Sequence, residues 1–170
     1  TMIKSSQDPT INSDPEIVAF YKIATASETA NYTATLFGST YWKGFACRIT
    51  GHDPRYPIVP IISEVNSGSS AVTTLAIPAL TVTYSNSLLF AGLTSRSQDT
   101  GVPTIGTLTN VVNLDGSSAS PAPELTVATK SVLSGSTGSH SLSWTTSAVS
   151  AALMFAVNPF RTNYCSTPSN

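Results

Sequence analysis

Shifted by 108 residues, this chain lies over itself, and that self-similarity constrains its architecture more than any other feature. EIVAFYKIATASETANYTATLFGS, Glu16 to Ser39, falls without a gap on ELTVATKSVLSGSTGSHSLSWTTS, Glu124 to Ser147. Glu16 meets Glu124, Lys22 meets Lys130, Thr29 meets Thr137 and Ser39 meets Ser147. Identity is low, and the pattern agrees better than the letters. Each copy has an apolar run, a polar Ser/Thr/Gly turn and an alternating run that ends on large apolar groups. Each is followed by a small-residue apolar segment, GFACRITG in the first copy and AALMFAVNP in the second. A period this long implies a duplicated half-domain rather than a solenoid. The expected halves are residues 1–60 and 66–160 of a single domain, with 161–170 a polar tail.

The shift also places Thr1 on Thr109 and Ile3 on Val111. The second copy has a long lead-in, Val65 to Leu108, that the first lacks. The expectation is that the beginning of the first half is missing, or that a neighbouring chain supplies those strands. An unpaired strand edge would otherwise be exposed there.

No segment of useful length repeats its apolar residues with the 3.6-residue period of a helix. Asn31 to Phe37 alternates instead, as does His140 to Thr146, the signature of half-buried strands. Further strands are expected at Thr1 to Gln7, Ile17 to Ala24, Gly44 to Gly51, Ala71 to Leu80 (broken near Pro78), Leu108 to Leu114, Glu124 to Val132 and Ala151 to Val157. SLLFAGLTS, Ser87 to Ser95, is the most apolar and is expected in mid-sheet. HDPRYPIVP, His52 to Pro60, has too many prolines for a central strand, and Ile61 to Ser70 reads as a connection. About nine short strands separated by Gly, Pro and Ser turns predict an all-β fold. Its expected form is a jelly-roll-like antiparallel β-sandwich built from two similar halves.

Composition limits the function. Charged residues are 10% of the chain, far below the usual quarter. Hydroxyls take their place, with 26 Ser and 24 Thr. Net charge is −1 and no basic patch is present, so nucleic acid is not an expected partner. No apolar run reaches the 18 residues of a membrane span, so no membrane partner is expected either. By association, such a composition belongs with secreted proteins, fibres and virion surfaces, so the expected location is extracellular or on a virion surface.

Nothing marks a catalytic centre, and the chain is read as a non-enzyme with no cofactor and no metal. Nucleophilic catalysis needs a base beside the nucleophile. The two histidines, His52 and His140, read as exposed polar residues in a loop and at a turn. His52 and Asp53 are adjacent, and neighbours on an extended chain point oppositely. The carboxylates are scattered singly; Asp8, Asp14 and Glu16 are the one group that a first loop could gather around calcium. Cys47, among apolar neighbours, reads as a buried free thiol, with a bridge to Cys165 or a reactive role as the alternatives. Asn31-Tyr32-Thr33 fits the glycosylation acceptor pattern, which acts only in a eukaryotic secretory route. Trp144 lies in an alternating strand and reads as core. Tyr41, Trp42 and Tyr56, with Tyr21, are the candidates for stacking on a sugar or meeting a partner.

The first copy also carries a motif series: Phe20 to Ala24, Tyr32 to Thr35, Ser39-x-x-Trp42-x-Gly44, and Gly51-x-Asp53. With Ala156 to Pro159 closing the second half, this series resembles a module of tailed-phage virion proteins and some bacterial surface proteins. The resemblance implies a jelly-roll β-sandwich of virion surfaces, in capsid decoration, head-fibre or tail-associated proteins. The expected partners are other virion proteins and copies of the chain itself; few charges, many hydroxyls and apolar strands suit symmetric contacts, which favour closed oligomers such as a trimer. The resemblance carries over no catalytic or binding residue, because its motifs are structural. A carbohydrate-binding or adhesive module, meeting a cell-surface glycan through Tyr41, Trp42 and Tyr56, is the alternative.

Overall fold

The computed structural model of the chain describes residues 2–6, 15–28, 31–33, 42–59, 62–96, 104–114 and 123–161. Among these there are strands and turns and no helix. In chain order the strands are β1 (Met2–Ser6), β2 (Ile17–Phe20), β3 (Ser63–Asn66), β4 (Val72–Ile77), β5 (Thr81–Val82) and β6 (Ser87–Ser95). There follow β7 (Thr104–Ile105), β8 (Thr109–Leu114), β9 (Glu124–Val132), β10 (Gly135–Ser136), β11 (His140–Ala148) and β12 (Ser150–Val157).

Every strand pairing is antiparallel. One sheet has the order β3-β12-β6-β9-β8, and a second has β4-β11-β7, extended by the pair β10-β5. The two pack face to face as a β-sandwich. Alternation decides which side chains fill the space between them. Along β11, His140, Leu142 and Trp144 point inward while Ser141, Ser143 and Thr145 face out. From the opposite sheet come Leu89, Ala91 and Leu93 of β6 and Ala152, Met154 and Ala156 of β12. Leu75 and Ile77 of β4 close the same core. Burying each large side chain of this set contributes roughly 1.5–3 kcal/mol.

The central strands are covered on their other face too, which is why β6 and β12 are apolar throughout rather than alternating. Ile17 of β2 packs there against Ala151 and Leu153. Gly92 makes room for it, since a Cβ on residue 92 would sit 2.7 Å from Ile17 Cδ1. Beside them Phe90 and Phe155 stack, with ring centroids 5.3 Å apart. β1 and β2 pair only with each other among the described residues and form a separate two-stranded layer over this face.

The hydroxyls serve the strand ends. Ser63 Oγ donates to Pro78 O, Ser87 Oγ to Tyr84 O and Thr94 Oγ1 to Glu124 O, all from buried residues. A short hydroxyl satisfies backbone carbonyls that a ladder no longer reaches, at little volume.

Several expectations hold: β6 is the middle strand of its sheet, the break after β4 falls at Pro78, and Trp144 is core. Four are corrected. The strand expected from Ile17 to Ala24 stops at Phe20. Ile61 to Ser70 is not merely a connection, because it contains β3, the edge of the larger sheet. Gly44 to Gly51 forms no strand and is largely exposed. Of Asn31 to Phe37, residues 31–33 form no strand either, and the remainder lies outside the described residues. A strand is a property of a ladder, and among the described residues these segments belong to none.

Candidate interaction surface

The segment from Gly51 meets the end of β12 at a polar junction. Gly51 to Asp53 runs beside Asn158 to Phe160: His52 bridges Pro159, Phe160 N–H donates to Gly51 O at 2.6 Å, and Asp53 N–H donates to Asn158 O at 3.0 Å. Asp53 is wholly buried. Its Oδ1 accepts from the N–H groups of Arg55 (2.9 Å) and Tyr56 (3.3 Å), an Asx turn that reverses the chain. Its Oδ2 accepts from Arg161 Nη2 at 3.2 Å. The Arg161 guanidinium lies over the Tyr84 ring, its Cζ 3.6 Å from the ring centroid. Asn158 completes the lock, donating from its side chain to Tyr56 O and from its backbone to Pro57 O. Tyr56 is thereby held with its ring 64% exposed.

Next to this junction is a pocket of about 80 Å³, lined by Ile49, Gly51, His52, Leu88, Val157 and Asn158 among others. His52 Nδ1 faces Ile49 O at 3.2 Å, while His52 Nε2 and Asn158 Oδ1 are buried with no hydrogen-bond partner among the described residues. The pocket has room for water but is far below the roughly 300 Å³ at which small-molecule sites begin.

The second polar group lies after β2. Glu28 accepts from Lys22 Nζ (2.7 Å), Tyr32 Oη (2.5 Å) and the backbone N–H and hydroxyl of Thr25. Lys22 also lies 5.4 Å from the Tyr32 ring centroid. These donors, Lys22 first, lower the Glu28 pKa to about 2. Lys22 and Tyr32 both belong to the motif series of the first copy; Glu28, which joins them, does not stand out in the sequence. Trp42 and Gly44 are also in contact: a Cβ on residue 44 would sit 2.9 Å from Trp42 Cζ3. The indole covers that glycine and remains 62% exposed.

Of the three candidate contact residues, Trp42 and Tyr56 are exposed, and Tyr41 lies outside the described residues, as do Asp8, Asp14 and Cys165. No ring contact joins Trp42 to Tyr56 among the described residues. Phe20 is 69% and Phe160 58% exposed, and Ile23 and Phe45 also lie at the surface. Two other readings are corrected. Cys47 is exposed rather than buried, because the strand that would have enclosed it does not form; the atoms around it still push its thiol pKa up, away from reactivity. His140 is buried rather than exposed, because it opens the inward-facing row of β11. Burial and then the nearby Lys130 lower its pKa. Glu16 is exposed, and no three metal-ligating side chains gather among the described residues.

Sequence reasoning missed the Asp53–Arg161 pair, because its members are 108 positions apart and no local pattern links them. In comparisons with known proteins, the chain matches no family model, no curated protein and no solved structure.

Proposed function

We propose that this protein is a non-enzymatic structural component of a virion surface, a phage capsid decoration or fibre subunit that works through protein–protein packing. The observation that carries this reading is the set of large apolar side chains left at the surface before and beside the junction: Phe20, Trp42, Phe45, Tyr56 and Phe160. Aromatic residues in a surface otherwise made of hydroxyls and few charges are the composition of an interface core rather than of a free surface. The motif series from Phe20 to Asp53 supports the virion setting by resemblance. The jelly-roll form belongs to the same reading.

Native mass spectrometry of the protein in its source assembly tests it. The expected result is a multimer associated with a larger particle and burying more than roughly 1,000 Å² per contact. A monomer found free of any particle would overturn it.

A carbohydrate-binding or adhesive module is the second reading, supported by the exposure of Trp42 and Tyr56. A glycan array decides it: binding that disappears in Trp42→Ala supports a stacking site, and binding that survives that change removes Trp42 from it.

A further inference from the structure

The pocket beside the junction is built partly from backbone that few residues adopt. Gly51, at φ 75°, and Asn86, at φ 64°, both line it, and Asn86 is the one non-glycine residue with positive φ among those described. Glycine and asparagine enter this left-handed region at least cost. Leu88 of β6 and Val157 of β12, which pair with each other in the ladder, supply apolar lining. The bridge between His52 and Pro159 and the bonds from Asn158 to Tyr56 O and Pro57 O pin the remaining walls.

Two polar side chains in this lining keep an unused atom, and their other contacts decide what each atom can do. His52 Nδ1 lies 3.2 Å from Ile49 O. A carbonyl oxygen only accepts, so Nδ1 carries the ring proton and Nε2 of the neutral imidazole keeps a lone pair. Asn158 Nδ2 donates to Tyr56 O at 2.7 Å, which fixes the orientation of the amide and makes Oδ1 an acceptor. Both Nε2 and Oδ1 are buried with no hydrogen-bond partner among the described residues, and Asn158 as a whole is 4% exposed. A buried acceptor without a donor carries an uncompensated desolvation cost, which an O–H or N–H group entering the pocket removes.

What fits is a neutral donor. None of the described lining residues is Asp, Glu, Lys or Arg, so a cation finds no counter-charge, and two acceptors repel a carboxylate, phosphate or halide. The volume of about 80 Å³ exceeds the roughly 10–15 Å³ that one water needs and is well short of the roughly 300 Å³ of a whole small-molecule site. It admits one hydroxyl group with the carbons that carry it, and those carbons meet Ile49, Leu88, Val157 and Pro159. We infer that this pocket is a hydroxyl-binding site in which His52 Nε2 and Asn158 Oδ1 accept from an O–H donor, either water or the hydroxyl of an alcohol or saccharide. The inference stands on the pocket's own atoms and is independent of the virion reading.

NMR of the whole chain, labelled with ¹⁵N and held in mildly alkaline buffer so that imidazole is neutral, tests it. Long-range correlation of the His52 ring is expected to place the proton on Nδ1. Isopropanol is the probe, and acetone, with the same heavy-atom skeleton and no O–H, is the control. Isopropanol is expected to shift the His52 Nε2 resonance saturably, and acetone is not. Leu88→Phe, which fills the pocket from β6 and leaves both acceptors in place, is expected to abolish that response. Water cross-peaks of long residence at the amides of His52 and Asn158 identify the two sources. Their loss as isopropanol binds supports a ligand hydroxyl, and their persistence without an isopropanol response supports water as the occupant. A proton on Nε2, an equal response to acetone, or neither water cross-peaks nor a shift with isopropanol would overturn the inference.

Discussion

Asp53 and Arg161 stand 108 residues apart and form an ion pair of 3.2 Å, the Asp53 side chain fully buried and that of Arg161 30% exposed. The carboxylate does more than pair, because it also holds the amides of Arg55 and Tyr56. Asp53→Ala is therefore expected to cost about 3 kcal/mol, leaving buried donors unsatisfied. Arg161→Met removes the guanidinium from Asp53 and from the Tyr84 ring but leaves Asp53 its two amide donors, so it is expected to cost less, about 1.5–2 kcal/mol. Urea unfolding of both variants checks the order; an equal loss would show that the ion pair, not the turn, dominates.

Gly92 and Ile17 couple β2 to the main sheet. Gly92→Val places side-chain carbons where Ile17 Cδ1 now lies, and overpacking of this kind costs about 1–3 kcal/mol. Ile17→Ala removes the obstruction, so the double variant is expected to be more stable than the two single losses added together. Additive losses in a double-mutant cycle would mean that β2 does not rest on residue 92 in solution.

His140 makes stability depend on pH near neutrality. Its folded pKa is lowered by burial and by Lys130, so the unfolded chain binds its proton more readily. The contribution is complete above the ordinary value of 6.5 and is lost as pH falls below it towards the folded value. Lys130→Gln is expected to raise the His140 pKa and flatten that dependence. Titration of the imidazole by NMR measures both, and an unmoved pKa would assign the shift to burial alone.

Glu28 acts in a lower window. Its folded pKa of about 2 lies below the ordinary 4.5, so its contribution is present above 4.5 and disappears as pH falls towards 2. Lys22→Ala removes the strongest donor and is expected to raise that pKa and loosen Tyr32. Carboxyl NMR titration checks the first, and the salt sensitivity of the shift checks its electrostatic origin.

Much of the sandwich was legible because alternation and apolar runs state which strands are covered on one face and which on both. Leu142 and Trp144 follow from period two; the two-sided burial of β6 and β12 follows from their apolar centres, Leu88 to Leu93 and Ala151 to Val157. The same signals failed for Gly44 to Gly51, whose letters are those of a strand, and for Cys47 within it. Nothing in a local pattern reports whether a partner strand stands alongside. His140 was misread because the residue opens an alternating run, and the run alone does not say which of its two faces is the inner one. Glu28 carried no local signal at all, since its partners converge through a turn.

The sequence by itself determined the strand content, the absence of helical periodicity, the position of β6 in mid-sheet and the 108-residue offset, because each is a matter of periodicity along one chain. Only the tertiary structure decided which strands pair, which face of β11 is buried, and that Asp53 meets Arg161. Pairing is a relation between distant segments, and its free energy comes from hydrogen bonds and burial that exist only once both segments are in place.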